Sequence, residues 1–397
     1  MHDDQILQLI NRKRPLFHED LLANETDIKD ALNGARILVI GAAGTIGKAV
    51  TKEIFAREPA ALHAVDVSEN NLVELVRDLR SSLGYVTKEF KTFALDALSE
   101  EFDLFFKFHG PYDYIFNLSA LKHVRSEKDI FTLSRMFRVN IELNLKLQDL
   151  AEESSVQKLF VVSTDKAANP ANLMGASKRL MEIILLQQLG KTRVSFARFA
   201  NVAFSDGSLP FGFSQRLQLQ QPMSAPRDIK RYFVTQRESG ILCVFSALFG
   251  ESSEIFFPRL SEDLHQVSFS ELAISYLQMH GFEAIECQTE DEARSKVPEL
   301  IPQSKWPCYF FKSDTAGEKP YEEFYTANDT PDFARYKDIG VIKSYNEVDY
   351  AVLESVKKHL LNSNMLHLAK EQVLELVYNA LPSFSYIENG KNLDQKM

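Results

Sequence analysis

Three groups of residues have the types and spacing to do chemistry. Ser163-Thr164-Asp165-Lys166 sets a hydroxyl, a carboxylate and an ammonium side by side. Such neighbours act as acid and base when burial raises the carboxyl pKa and lowers the amine pKa. Left in water, they form a surface ion pair of little energetic worth, which is the plain structural alternative. Further along, Met174-Gly-Ala-Ser-Lys178 puts Lys178 one helical turn beyond Met174, on the same face. The third group, Gly41-Ala-Ala-Gly44-Thr-Ile-Gly47, repeats glycine every third position. One glycine allows a tight turn, one lets the backbone approach a pyrophosphate, and one lets the following helix pack close to the strand.

These groups need particular elements to position them. Arg36–Ile40 is a short apolar run, as in a parallel strand buried on both faces, and it enters the glycine turn directly. A helix over 48–57 follows, so its N-terminus would favour phosphate charge. Strands are predicted over 61–67, 91–95, 114–118, 158–163 and 194–199, and helices open at Ser68 and run over 134–153 and 175–189. In the 134–153 helix the apolar stripe is Met136, Val139, Leu143, Leu147 and Leu150. This alternation implies an α/β, Rossmann-type, doubly wound parallel sheet, whose ligands bind beyond the carboxyl ends of the strands. The Ser163–Lys166 segment ends the fifth strand and is expected to project into that site. Asp66 ends the second strand, where a carboxylate accepts hydrogen bonds from ribose hydroxyls and repels a 2′-phosphate, favouring NAD over NADP. Asp96 is placed to meet the adenine amino group, and Lys178 to reach the nicotinamide ribose. For the glycine turn and Asp66, a purely structural turn and a solvated strand end are the alternatives.

Beyond residue 205 the alternation fades into segments rich in Pro and Phe, such as Gln221–Pro226 and Phe256–Arg259. The expected organisation is an N-terminal helical extension over 1–34 and an NAD-binding domain over 35–205. A smaller α+β substrate lobe over 206–330 is interleaved with that domain, and a helical C-terminal extension covers 331–397. The net charge of −10 argues against general nucleic-acid binding. Cys243, Cys287 and Cys308 lack metal or disulfide spacing, and no His pair has a metal-binding pattern. No metal is expected, and the thiols are expected to be reduced. The first residues lack the apolar core of a signal peptide, and no stretch is long enough for a membrane span. A cytoplasmic protein is expected.

The quoted motifs, with Ala120-Leu-Lys-His-Val124, Ala167-Ala-Asn-Pro170, Arg198-Phe-Ala-Asn-Val202 and Ala316-Gly-Glu-Lys319, resemble the extended short-chain dehydrogenase/reductases. More narrowly, they resemble the polysaccharide-biosynthesis UDP-N-acetylglucosamine 4,6-dehydratases. The likeness spans 35–260 and, locally, 310–325. It implies cofactor contacts at Gly41, Gly44, Thr45, Ile46, Gly47, Asp66, Asp96, Ala97, Leu118, Ala120 and Lys178. It implies substrate contacts at Lys122, His123, Asn201, Ser208, Arg259 and Glu318. The superfamily's Tyr-x-x-x-Lys signature is broken here: Met174 holds the Tyr position and cannot transfer a proton. The resembling dehydratases include members with Met at this point, associated with retention at sugar C5.

That resemblance implies hydride transfer from sugar C4 to NAD⁺, loss of water across C5 and C6, and hydride return to C6. Asp165 is assigned as the acid at C6, Lys166 as the base at C5 and Thr164 as a hydrogen-bond partner of the C4 oxygen. A sugar epimerase or 4-ketoreductase is a rival that the missing tyrosine disfavours. A non-catalytic NAD- or nucleotide-sugar-binding regulator is a rival of another class. Fold analogy further implies a homodimer or higher homo-oligomer built on the helices over 134–153 and 175–189.

Overall fold

The structure, a computed structural model, describes residues 3–187, 190–259, 265–313, 322–343, 348–361 and 364–386. Eight strands form the main sheet: β1 (Arg36–Ile40), β2 (Ala61–Asp66), β3 (Glu89–Ala94), β4 (Tyr114–Asn117), β5 (Lys158–Val162), β6 (Arg193–Ala197), and, from later in the chain, Glu254–Pro258 and Ile339–Lys343. The lobe between them carries β7 (Asn201–Val202), β8 (Met223–Pro226) and β9 (Lys230–Val234). The late sheet strands are therefore β10 (Glu254–Pro258) and β14 (Ile339–Lys343), with β11 (Gln266–Ser268), β12 (Glu283–Cys287) and β13 (Lys305–Phe311) between them in the lobe. The sheet order is β14-β10-β6-β5-β4-β1-β2-β3. From β3 to β10 every pairing is parallel, and only β14 runs antiparallel.

This is the doubly wound sheet expected from the alternation of strands and helices. The chain leaves β1 towards β2 on one side and later fills the other side with β4, so the strand order reverses beside β1 and opens a crevice there. β5 and all of β1 past Arg36 are buried, which explains their unbroken apolar runs. Ser68 caps the helix Glu69–Leu83 by accepting the Asn71 N–H at 3.3 Å. The helix predicted over 134–153 starts earlier, at Ile130, and a π-helical turn interrupts it over Arg138–Glu142. That extra residue per turn breaks the assumed stripe, and Val139 faces the crevice instead of the core.

The lobe has its own core, in which Phe204, Phe213, Phe233, Tyr276, Trp306 and Phe310 pack together. Ile6, Leu7, Leu9 and Ile10 join it, whereas the helix His18–Leu32 packs on the main core through Ile28 and Leu32. The N-terminal extension thus straps both parts. Within 206–330, β10 is a strand of the main sheet, and the helix Gln236–Phe249 packs on β5, β6 and β10.

The 331–397 segment is not only helical. It begins with β14, which closes the sheet edge by pairing Ile339–Lys343 with β10. Its run is short and contains Gly340, so it reads weakly as a strand. The helices Tyr350–Leu360 and Lys370–Ala380 then bury Leu353, Val356, Val373 and Val377 in the main core. The 3-10 turn Asn364–His367 between them contacts Ile130–Phe137, and the helix Lys370–Ala380 contacts Leu173–Gln187. Among the described residues no helix is long and apolar enough to cross a membrane.

Candidate active site

The glycine turn is built by close approach. Gly41 has a φ of 73°, open to glycine at little cost, and a Cβ there would lie 2.7 Å from the Ser119 nitrogen. At Gly47 a Cβ would lie 2.0 Å from the Gly41 carbonyl oxygen, so only glycine lets the helix Thr45–Phe55 pack this near the turn. Gly44 differs: a Cβ would meet nothing nearer than the Gly41 oxygen, at 3.7 Å, so the space beside it is free for a ligand. Asp66 braces the turn, its carboxylate accepting the Ala43 and Ser68 N–H groups at 2.9 Å each. Gly41, Gly44, Asp66, Asp96, Ala97, Leu118 and Ala120 all line one cleft of about 270 Å³. Arg135 and Arg138, which sequence patterning left unassigned, also line it, with Val139, which patterning puts on the core side. Thr45 lies at the start of the helix and accepts the Asp206 N–H at 2.9 Å, tying the turn to the lobe; Ile46 is half-buried beside it. Open space at a glycine, a helix N-terminus and a strand-end carboxylate fit a dinucleotide.

The residues expected to do chemistry follow β5 in a short 3-10 turn over Asp165–Ala167. The Asp165 N–H donates to the Phe199 carbonyl, which fixes the turn beside the chain leaving β6. Thr164 donates its hydroxyl to Asp165 Oδ1 at 2.8 Å, and Lys166 Nζ reaches the same oxygen at 3.3 Å. Asp165 is buried, with Lys166 40% exposed at its side chain, so the pair lies at a wall open on one side. Lys178 is buried and donates to the Val162 carbonyl at 3.1 Å, beneath the end of β5. Burial pushes its ammonium down to about 8, against the opposing pull of Glu182. Glu182 anchors this floor: it accepts two bonds from Arg198, at 2.6 and 3.0 Å, and one from Ser163 at 2.6 Å. Arg198 is therefore structural. Met174 is buried, and its N–H donates to Glu127 at 2.9 Å, so a buried carboxylate holds the start of the helix Leu173–Gln187. Asn140, in the π-helical turn, bonds both the N–H and the carbonyl of Leu121 and reaches Ser177 Oγ at 2.9 Å.

The predicted substrate residues separate on inspection. Lys122 Nζ donates to the Asp206 carbonyl at 2.9 Å, and burial lowers its pKa. His123, its pKa also lowered by burial and then by Lys122, lies against Gly207, where a Cβ would come within 3.0 Å of Nε2. Both therefore face the junction of the Rossmann domain and the lobe. Ser208 accepts the Phe211 N–H at 3.2 Å and caps the helix Leu209–Gln218, a local role that explains a serine there. Arg259 is taken by the Phe333 and Lys337 carbonyls and stacks on the Phe333 ring at 5.1 Å. Those contacts hold Arg259 to the segment that leads into β14. Glu318 and the rest of Ala316–Lys319 lie outside the described residues. Asn201 donates to Glu322 Oε1 at 2.7 Å. Glu322 is a buried carboxylate that sequence reasoning missed, and Arg231 Nε, also missed, stands 3.8 Å from the same oxygen.

A family model described as "Polysaccharide biosynthesis protein" matches residues 37–344. The chain belongs to this family. Among its relatives is an uncharacterized membrane protein of Methanocaldococcus jannaschii, 29% identical over 63% of this chain and 75% of that one. The capsular polysaccharide biosynthesis protein CapD of Staphylococcus aureus is 26% identical over 92% of this chain, which spans only 58% of CapD's length. Of solved structures, Pen from Bacillus thuringiensis superposes with a TM-score of 0.64 at 20% identity, covering 88% of this chain and 98% of Pen. A dTDP-glucose 4,6-dehydratase double mutant from Streptomyces venezuelae, solved with NAD bound, gives 0.53 at 17% identity over 72% and 87%. These superpositions show that the chain shares their fold.

Proposed function

We propose that this chain is an NAD-dependent 4,6-dehydratase acting on UDP-N-acetylglucosamine, with retention at C5. The observation that carries the reading is Met174 at the position where a tyrosine would exchange protons, beside an intact Thr164–Asp165–Lys166 cluster at the carboxyl end of β5. An enzyme that only oxidises or epimerises at C4 needs that tyrosine; one that eliminates water needs an acid and a base, which the cluster supplies.

The Gly41–Gly47 turn and Asp66 would hold NAD, and the superposed dehydratase with NAD bound supports that choice. Bound NAD would supply a hydride acceptor at C4 and a hydride donor at C6. The protein's own groups handle the protons. Thr164 hydrogen-bonds the C4 oxygen, and as hydride leaves C4 the C4 hydroxyl proton passes through the Thr164 hydroxyl to Asp165, whose Oδ1 accepts that hydroxyl at 2.8 Å. Lys166, on the open side of the pair, removes the C5 proton made acidic by the C4 ketone. Asp165 gives its proton to the C6 hydroxyl, which leaves as water. Lys166 then returns its proton to C5 on the same face, which accounts for retention. The Lys178 ammonium, buried below β5, favours negative charge developing at the ribose and C4 side.

Incubation with UDP-N-acetylglucosamine in D2O tests this. The expected product has lost one water and carries deuterium at C5 with unchanged configuration. Change at C4 without loss of water would make the chain an epimerase. Absence of turnover with NAD still bound would leave a binding protein.

A further inference from the structure

The family match ends at residue 344, yet a segment beyond it reaches the helix that carries Met174 and Lys178. Two side chains hold the start of that helix. Asn172 accepts the Gly175 N–H at 2.8 Å, and Glu127, only 5% exposed, accepts the Met174 N–H at 2.9 Å and that of Leu173. These donors have no partner inside the helix, and a carboxylate beside them also meets the positive end of the helix dipole. The helix start lies close against the Asp165–Ala167 turn: a Cβ on Gly175 would come 2.5 Å from the Lys166 carbonyl oxygen. A displacement of the helix start would therefore disturb both Lys178 and the turn that holds Lys166.

The end of the described chain grips the same two places. The Ser385 N–H donates to the Pro170 carbonyl at 3.3 Å, just past that turn. Beside it, the Tyr386 hydroxyl donates to Glu127. Tyr386 is itself fixed: its N–H donates to the Tyr378 hydroxyl at 3.2 Å, and its ring lies 5.0 Å from the Lys370 ammonium. Lys370 opens the helix Lys370–Ala380, which packs on Leu173–Gln187. We propose that Tyr386 is a positioning residue: through Glu127 it fixes the start of the helix Leu173–Gln187, and so sets Lys178 for NAD. This rests on the reading of Lys178 as the nicotinamide-ribose contact. The electrostatics around Glu127 agree. Burial first pushes its carboxyl above the usual range, while the Met174 and Leu173 N–H groups, the Lys370 charge and the Tyr386 hydroxyl pull it back. Without that hydroxyl, a buried carboxylate loses a donor, and its hold on the helix start loosens.

Tyr386→Phe removes one oxygen and keeps the ring beside Lys370, so the variant should fold and melt within a few degrees of wild type. Its Kd for NADH, read by fluorescence well below that temperature, should rise about 10-fold. On UDP-N-acetylglucosamine its kcat should fall by a similar factor, while KM for the sugar nucleotide stays within a few-fold. A purely structural tyrosine would lower the melting temperature and leave the NADH affinity of the folded protein alone. Glu127→Gln closes a double-mutant cycle: because Tyr386 acts through Glu127, adding Tyr386→Phe should raise the Kd no further. Should Glu127→Gln fail to fold, Lys178→Met closes the cycle at the other end of the path, with the same expectation. A Kd for Tyr386→Phe within two-fold of wild type, or losses that multiply in the cycle, would overturn the proposal. Wild type that binds NADH but leaves UDP-N-acetylglucosamine unconverted sinks the dehydratase reading, and the NADH cycle still decides the role of Tyr386.

Discussion

At the residue scale, the division of labour makes two variants diagnostic. Lys166→Ala should cut kcat for elimination by about 100- to 10,000-fold, the range for a lost general base, with KM little changed. Met174→Leu should leave kcat within a few-fold, because a buried thioether moves no proton. Steady-state rates on the two side by side decide whether the burden lies on the β5 turn or on the broken Tyr-x-x-x-Lys signature. Asp66→Ala removes the acceptor of the Ala43 and Ser68 N–H groups as well as the ribose contact proposed above. It should raise the NAD Kd by roughly 10- to 100-fold, a loss of about 1–3 kcal/mol read by titration calorimetry. Placements set by neighbours in the chain were legible in the sequence: the close-packed glycine turn, Asp66 in the same cleft, and Thr164–Lys166 at the end of β5. Glu322 was not, because its partner Asn201 is 121 positions away and no spacing rule joins them. Ser208 and Arg259 show the opposite case: a helix cap and a carbonyl-held guanidinium use the same residue types that bind substrate, so type alone does not separate the roles.

At the scale of elements, the strand-turn-helix at β1 was readable because glycine periodicity and burial agree. Its test is Gly47→Ala. A methyl 2.0 Å from the Gly41 oxygen cannot be accommodated unless the helix Thr45–Phe55 shifts, so the variant should lose about 1–3 kcal/mol of stability and most NAD affinity together. Thermal unfolding with and without NAD separates these effects; an unchanged melting curve would mean the turn tolerates displacement. The π-helical turn over Arg138–Glu142 escaped sequence reading, since helical periodicity assumes a constant number of residues per turn. β14 escaped because its strand character depends on pairing with the distant β10.

At the scale of the whole molecule, the C-terminal helices are part of the main core rather than an appendage. Val377 is fully buried there, so Val377→Asp should cost several kcal/mol and lower the melting temperature, monitored by circular dichroism. Sedimentation of the same variant shows whether loosening the helix Lys370–Ala380 from Leu173–Gln187 permits self-association. Stability should also depend on pH through Glu322. Its folded pKa is raised from 4.5 to about 7, so the folded protein binds that proton more tightly than the unfolded chain. The stabilisation is fully present below pH 4.5 and is lost as pH rises to about 7, a change of roughly 3 kcal/mol. Denaturant titrations across that window should show the decline in wild type and a flatter profile in Glu322→Gln.

The contacts between residues 14–20 and 337–338 bear on how the chain is made. The Phe17 N–H donates to Asp338, and Asp20 accepts the N–H groups of Lys337 and Asp338, immediately before β14. As the polypeptide emerges from the ribosome, β1 to β6 can pair in turn, but the edge of β10 stays bare until more than eighty further residues have been synthesised. The N-terminal strap waits for the same late arrival. Nascent chains stalled before residue 338 should therefore be the stage most dependent on chaperones, with an open strand edge inviting intermolecular pairing.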